Sequence, residues 1–219
     1  TRDGRSRGRR APSRGMAFGR VAIARRSTAH GGEPLELLAR RRPDRPVRIT
    51  AFLDVSGSMQ VYASVFLAFL RGLASADRRL DAYLMHTHLV RVTEALRDGD
   101  TMSSLGRMSL MASGFGGGTR LGTCLDAFIG QHGASIGSRT VVMILSDGYD
   151  SDPPGLLAQS LARIRRRGSR IVWLNPLKGW AGYEPVARSM AAALPFLDHF
   201  AAANTLDALA ALEGQLAAL

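Results

Sequence analysis

The 219-residue sequence has few of the residues on which disulfide-bonded, membrane-spanning or base-stacking proteins depend. It holds one cysteine, Cys124, so an internal disulfide framework is excluded. No apolar run approaches the roughly 20 residues that a membrane span needs, and no apolar stretch follows the basic start as it would in a signal peptide. Aromatic residues make up 6% of the chain. These features predict a cytoplasmic protein without a membrane span.

Positive charge is concentrated at the start of the chain. Residues 1–48 hold 14 arginines and four acidic residues, whereas the rest of the chain is nearly neutral. Lys178 stands alone against 28 arginines, which indicates a coding bias, and Phe18 is the one aromatic residue of the basic stretch that could stack on a base. Nucleic acid is therefore not expected as a partner. We interpret residues 1–45 as a flexible arginine- and glycine-rich segment and residues 46–219 as one folded domain.

Apolar strands alternate with helices along the folded part of the chain. Strands are predicted at 47–54, 80–86, 88–93, 140–146, 169–174 and 196–200. Helices are predicted at 59–76, 101–112, 120–132, 155–167, 184–193 and 204–218. The run at 140–146 is nearly all apolar, which is typical of a central strand of a parallel sheet. The order predicts an α/β fold with a doubly wound, mostly parallel sheet flanked by helices.

The first predicted helix has a regular apolar face. Ser58 is well placed as its N-cap, and the apolar side chains repeat at helical spacing. The predicted buried face consists of Val61, Val65, Phe69 and Leu73.

Oxygen-bearing side chains follow three segments of this predicted fold. They belong to Asp54, Ser56, Ser58, Thr119 and Asp147. Ligands of doubly wound folds lie beyond the carboxyl ends of the strands, so the three segments are expected to meet there. Oxygen ligands without His or Cys select Mg²⁺ or Mn²⁺ over zinc or copper. Two carboxylates and three hydroxyls leave a position open for water or for a partner's oxygen. The nearby Asp150 and Asp152 are interpreted as solvated loop acids.

This ordered set resembles the metal-ion-dependent adhesion site of von Willebrand factor A (VWA) domains. The family pattern is Asp-x-Ser-x-Ser, a Thr in a second loop and an Asp in a third, and the resemblance covers roughly 47–219. It implies that Ser56, Ser58 and Thr119 touch the metal, while the aspartates act directly or through water. It also implies that an acidic residue of a bound partner completes the coordination.

Further segments look like those of the CoxE-like group of bacterial VWA proteins. They lie at 31–35, 146–150, 173–177, 183–185 and 194–198. The resemblance implies a non-enzymatic accessory factor that acts with a MoxR-type AAA+ ATPase in maturing a molybdenum hydroxylase such as carbon monoxide dehydrogenase. It also implies an additional N-terminal region, so residues 1–45 are expected to be the C-terminal end of a truncated one.

Two other functions stay open at this point. A metal-dependent phosphohydrolase of the haloacid-dehalogenase type would use Asp54 as nucleophile, but it needs a second Asp where this chain has Ser56. The loop at 114–120 also lacks the Gly-Lys-Ser/Thr ending of a nucleotide-binding loop. A secreted adhesion-type VWA domain is the other alternative, although neither a signal segment nor paired cysteines favour it.

Overall fold

The computed structural model describes residues 47–97, 118–205 and 208–209. The predicted helix at 101–112, the loop residues 114–117 and most of the predicted helix at 204–218 lie outside these residues. So does the segment 1–45, and the predicted domain boundary therefore stays a prediction.

Six strands of the described residues form one sheet. Their bounds are β1 Arg48–Asp54, β2 Leu80–Met85, β3 Leu89–Arg91, β4 Thr140–Leu145, β5 Arg170–Asn175 and β6 His199–Ala202. The spatial order is β3-β2-β1-β4-β5-β6. Strand β3 pairs antiparallel with β2, and all other pairs are parallel. This topology confirms the predicted α/β fold with a mostly parallel sheet.

Strands β1 and β4 lie side by side in the middle of the sheet. Their parallel register pairs Leu53 with Leu145, and all six residues of β4 are buried. Each of these strands has a neighbour on both sides, so both end at the same central stretch of the carboxyl edge. Asp54 and Ser146 come directly after the last paired residues and therefore lie level with each other.

Five helices that lie wholly within the part of the chain that the structure describes cover the two faces of the sheet. Their bounds are α1 Gln60–Ala76, α2 Thr93–Arg97, α3 Leu121–His132, α4 Pro154–Arg166 and α5 Arg188–Ala193. Short 3-10 turns lie at Gly57–Met59, Gly133–Ser135, Pro176–Gly179 and Leu194–Phe196. Helix α5 begins later than the predicted residue 184. Pro185 disfavours helical geometry at the residue before it, which accounts for the late start.

Side chains of β1 alternate between two core layers. Ala51 and Leu53 pack into the layer that contains Phe66 of α1, whereas Phe52 points to the opposite face. There the Phe52 ring meets Phe128 of α3 edge-on, with 4.9 Å between ring centroids. On this side of the sheet, α3 also buries Leu121 and Leu125.

The face that helix α1 packs onto the sheet is centred on other residues than those that its sequence predicts. It buries Phe66, Leu70 and Ala74, whereas Val61 is 80% exposed. The helix is apolar on nearly every side, so a repeat of 3.6 residues fits several faces. Met59, buried in the preceding turn, lies in phase with Phe66 and Leu70 and belongs to the face that the fold selects. Of the predicted face, Val65, Phe69 and Leu73 are partly buried against the same core layer, so the prediction was wrong for Val61 and for the centre of the face.

The segment Gly57–Ala76 is also the one described helix with the length and apolar composition of a membrane span. Helices that pack in a protein core can have the same composition. Here the side chains of Phe66 and Leu70 pack against the sheet. The length and apolar composition of this segment are therefore common to core helices and membrane spans.

Replacing Leu70 by alanine tests the observed face of α1. Leu70 is fully buried, so Leu70→Ala is expected to lower the free energy of unfolding by about 2–5 kcal/mol through loss of packing and the cavity left behind. Val61→Ala, on the exposed side, is the control and is expected to change it by less than about 0.5 kcal/mol. Urea denaturation followed by circular dichroism measures both. Equal losses in the two variants would contradict the observed face.

Candidate metal centre

The Asp54 carboxylate joins three segments of the chain at the carboxyl edge of the sheet. It is 0% exposed. Its Oδ1 atom accepts a hydrogen bond from the Ser56 backbone N–H at 2.9 Å and from the Thr119 hydroxyl at 3.1 Å. Its Oδ2 atom accepts the Ser146 hydroxyl at 2.7 Å. The carboxylate thus fixes its own turn, the segment before α3 and the end of β4 relative to one another.

The turn after β1 presents two hydroxyls side by side. The Ser56 and Ser58 Oγ atoms lie 3.1 Å apart. The prediction of Ser58 as a helix N-cap was wrong, because α1 is preceded by the 3-10 turn Gly57–Met59 and Met59 takes the N-cap position without a side-chain cap. The Ser58 hydroxyl is consequently not used by the helix and faces Ser56.

Two acidic side chains hold the start of α3, which follows directly on Thr119. Asp150 accepts hydrogen bonds from the backbone N–H groups of the first two residues of α3 at 3.0 and 3.1 Å. Asp152 accepts one from the third residue at 2.7 Å. Carboxylates at this position satisfy unpaired N–H groups and the positive end of the helix dipole. The interpretation of both as solvated loop acids was wrong, because Arg120 at the N-cap provides no side-chain cap and the two acids take its place.

Asp147 lies two residues beyond β4 and is 3% exposed. Its Oδ1 atom accepts the Tyr149 backbone N–H at 3.1 Å, and its backbone carbonyl accepts the Asn175 side-chain amide at 2.9 Å. Gly148 has φ +87°, and a Cβ added there would lie 2.9 Å from the Met190 Sδ atom. Glycine is therefore needed for the turn that places Asp147.

Burial raises the pKa of Asp54 to about 6. Hydrogen bonds from the Ser146 hydroxyl and the Ser56 backbone lower it, and the negative charge of Asp147 raises it further. The two carboxylates therefore lie close enough to repel each other in a buried place. A divalent cation at this edge would offset that repulsion.

The donor set fits a small cation that prefers oxygen. Ser56, Ser58 and Thr119 line a cleft of about 730 Å³, while Asp54 and Asp147 are buried at the same edge. Hydroxyl and carboxylate oxygens are ligands for Mg²⁺ and Mn²⁺. No group of three or more His, Cys, Asp or Glu that could hold a metal occurs among the described residues. In the structure, side-chain hydrogen bonds thus connect Thr119 with Asp54 and Ser56 with Ser58. Metal binding by the five residues stays a prediction.

Sequence reasoning missed two residues that position this site. The Ser146 hydroxyl bonds Asp54, and aligning the ends of the two central strands would have placed it there. Asn175, the last residue of β5, donates to the Asp147 carbonyl and accepts the Leu177 backbone N–H at 2.8 Å. The signal available in the sequence was a polar residue directly after the apolar run at 171–174.

A mostly parallel α/β sheet with this ordered set of loops at its carboxyl edge defines a VWA-type domain. The model of the family described as "VWA domain containing CoxE-like protein" matches residues 1–209. The chain therefore belongs to the VWA CoxE-like family, and the resemblance found in its sequence is confirmed. No curated protein matches the chain.

Several solved structures are similar to this chain at low sequence identity. BatB from Bacteroides thetaiotaomicron is 12% identical, with a TM-score of 0.48, over 78% of this chain and 97% of that chain. A von Willebrand factor type A protein from Catenulispora acidiphila is 16% identical, with a TM-score of 0.46, over 72% and 39%. Proximal thread matrix protein 1 from the mussel byssus, with zinc in its MIDAS (metal-ion-dependent adhesion site) motif, is 16% identical, with a TM-score of 0.45. The match covers 71% of this chain and 44% of that chain. This chain thus spans less than half the length of the mussel protein.

The metal-free wild-type protein is expected to lose free energy of unfolding as the pH rises through the pKa of Asp54. Asp54→Asn, which has no proton to lose there, is expected not to show this loss. The folded-state pKa of about 6 lies above the ordinary 3.8, so the folded state holds this proton more tightly than the unfolded state. The contribution of Asp54 is fully present below about pH 4 and is lost as the pH rises through the folded-state pKa, a change of roughly 3 kcal/mol.

Urea unfolding in EDTA, below and above about pH 6, measures the free energy of unfolding of wild type and of Asp54→Asn. The difference between the two proteins is expected to change with pH. Asp126→Asn removes a half-exposed carboxylate and is the control for loss of a surface charge. A difference between wild type and Asp54→Asn that stays constant with pH would contradict the account.

Proposed function

We propose that this chain is a non-enzymatic protein-binding module whose hold on its partner depends on a bound Mg²⁺ or Mn²⁺. The residues that would hold the cation are Asp54, Ser56, Ser58, Thr119 and Asp147. The observation that carries the proposal is the 3.1 Å contact between the Thr119 hydroxyl and the buried Asp54 carboxylate. It joins residues 65 positions apart at a cleft that the two serine hydroxyls also line.

The five residues divide by chemistry into two groups with different roles. Ser56, Ser58 and Thr119 line the cleft, and their hydroxyls are suited to contact a cation. The buried carboxylates of Asp54 and Asp147 supply the negative charge that attracts it. When bound, the cation would supply a positive charge with a position free for a partner's carboxylate. Without it, that carboxylate would meet two like charges and be repelled.

The environment of the nucleophile candidates supports a binding role rather than catalysis. Asp54 is 0% exposed, and both of its oxygens already accept hydrogen bonds. A nucleophile so enclosed cannot reach the phosphorus atom of a substrate. Cys124 is buried, and its desolvation raises the pKa of its thiol to about 12, so it stays protonated and unreactive near neutral pH.

Membership of the CoxE-like family supports a proposal about partners. We propose that this module acts with a MoxR-type AAA+ ATPase and with a molybdenum hydroxylase under assembly, such as carbon monoxide dehydrogenase. One of these partners would provide the acidic residue for the metal. A cytoplasmic location goes with this proposal, because an AAA+ ATPase needs cytoplasmic ATP. Cell fractionation tests the location.

Thr119→Ala is expected to weaken binding of Mn²⁺ and Mg²⁺ at least about tenfold, a loss of about 1.4 kcal/mol. It removes a hydroxyl that lines the cleft and donates to the Asp54 carboxylate. Thr123→Ala, four residues on in α3, is the matched control and is expected to keep wild-type affinity. Isothermal titration calorimetry measures the affinities, and circular dichroism shows whether both variants are folded. Equal affinities of Thr119→Ala and wild type would contradict the assigned role.

Pull-down of the co-expressed ATPase tests the function itself. Capture is expected in Mg²⁺, and it should be lost in excess EDTA and in Thr119→Ala but kept in Thr123→Ala. Capture that persists unchanged in EDTA would reject a metal-dependent bridge. Phosphatase turnover by the purified domain that disappears in Asp54→Ala would instead favour the phosphohydrolase.

A further inference from the structure

The cleft of the candidate metal centre contains a cation of the chain's own. Among the described residues that line it, Arg188 is the one basic side chain. It is exposed, and its guanidinium group makes no ion pair or hydrogen bond in the described structure. Water solvates an exposed guanidinium group, so this one is available to pair with a charged group of a ligand.

The backbone that carries Arg188 is firmly held. The next two residues of α5, Ser189 and Met190, are 5% and 0% exposed, so the helix start is anchored to the rest of the domain. The first side chain of α5 therefore stays at the cleft while the next two residues are buried. This arrangement presents a guanidinium group to solvent on a fixed support.

The acidic residues that share the cleft are already engaged. Asp150 and Asp152 accept the first backbone N–H groups of α3, and Asp152 also lies 3.4 Å from the Arg120 guanidinium. Neither pairs with Arg188. Arginine presents a planar fork of N–H donors that matches a carboxylate. The group best suited to Arg188 is therefore an acidic one that arrives with a ligand.

The size of the cleft indicates how much of a ligand enters it. Its volume of about 730 Å³ lies in the range of pockets that enclose a whole small-molecule ligand, which is more than one carboxylate side chain occupies. A short peptide segment therefore has room to place two side chains in the cleft.

We propose that Arg188 binds a second acidic residue of the partner, so that the recognised segment carries two acids. One acid is directed to the metal held by the hydroxyls, and the other pairs with the Arg188 guanidinium. This inference rests on the proposed function and adds the chemistry of the partner's binding segment. Arg188 is then a residue that determines specificity.

A random peptide library displayed on phage and selected on the Mg²⁺-loaded chain provides the probe. Selected sequences are expected to contain two acidic residues. Each acid of a selected peptide is then replaced by glutamine, and affinities are measured for wild type, Arg188→Gln and Arg166→Gln. Arg166 is the matched control because it is exposed at the far end of α4, about 18 Å along the helix from the cleft.

The expected result is a coupling between Arg188 and one acid of the peptide. Replacing that acid should weaken binding to wild type and to Arg166→Gln roughly 10- to 100-fold, and should have little effect in Arg188→Gln. The other acid should matter equally in all three proteins, and its contribution should disappear in EDTA.

Two groups of outcomes overturn the inference, and they differ in what they leave standing. Selected peptides with one acid, or no coupling to Arg188 while EDTA still abolishes binding, would reject the role of Arg188 and keep the metal-dependent module. Failure to select any peptide, or peptides that bind equally in EDTA, would reject both.

Discussion

The buried carboxylate of Asp54 is the constraint on which the rest of this site depends. Burying a charged group is costly unless donors surround it, and here the donors come from the Ser56 backbone, the Thr119 hydroxyl and the Ser146 hydroxyl. Each donor belongs to a different segment, so satisfying one carboxylate positions three segments. The charge of Asp147 opposes this arrangement. The site is thus held together by hydrogen bonds and strained by repulsion that a cation would relieve.

The scaffold explains why segments so far apart in sequence meet at this carboxylate. The register of β1 and β4 brings Asp54 and Ser146 level with each other. The Trp173 indole N–H donates to the Ser146 carbonyl at 2.9 Å, which ties β5 to the same edge. Asp150 and Asp152 hold the start of α3 from the loop that follows Asp147. A change in any of these elements would therefore be felt at Asp54, although none of them need touch a ligand.

Much of this arrangement could be predicted from the sequence because it depends on strand ends. Short apolar runs locate the strands, and the polar residue after each run must lie at the carboxyl edge, which is how Asp54 and Asp147 were found. Helix details were not predictable in the same way. The apolar surface of α1 offers several faces at helical spacing, and the tight turn at Ser58 depends on backbone geometry that periodicity does not encode. The capping by Asp150 and Asp152 is a contact between distant segments, which local pattern does not reveal.

Crystals grown with Mn²⁺ would test the central claim most directly, because anomalous scattering locates this ion without reference to the protein model. The account predicts one strong peak in contact with the hydroxyl oxygens of Ser56, Ser58 and Thr119, at the roughly 2.0–2.2 Å typical of small divalent cations bound by oxygen. It also predicts that the peak is absent from crystals of Thr119→Ala. A fully occupied peak elsewhere, or none at this edge at saturating Mn²⁺, would contradict it.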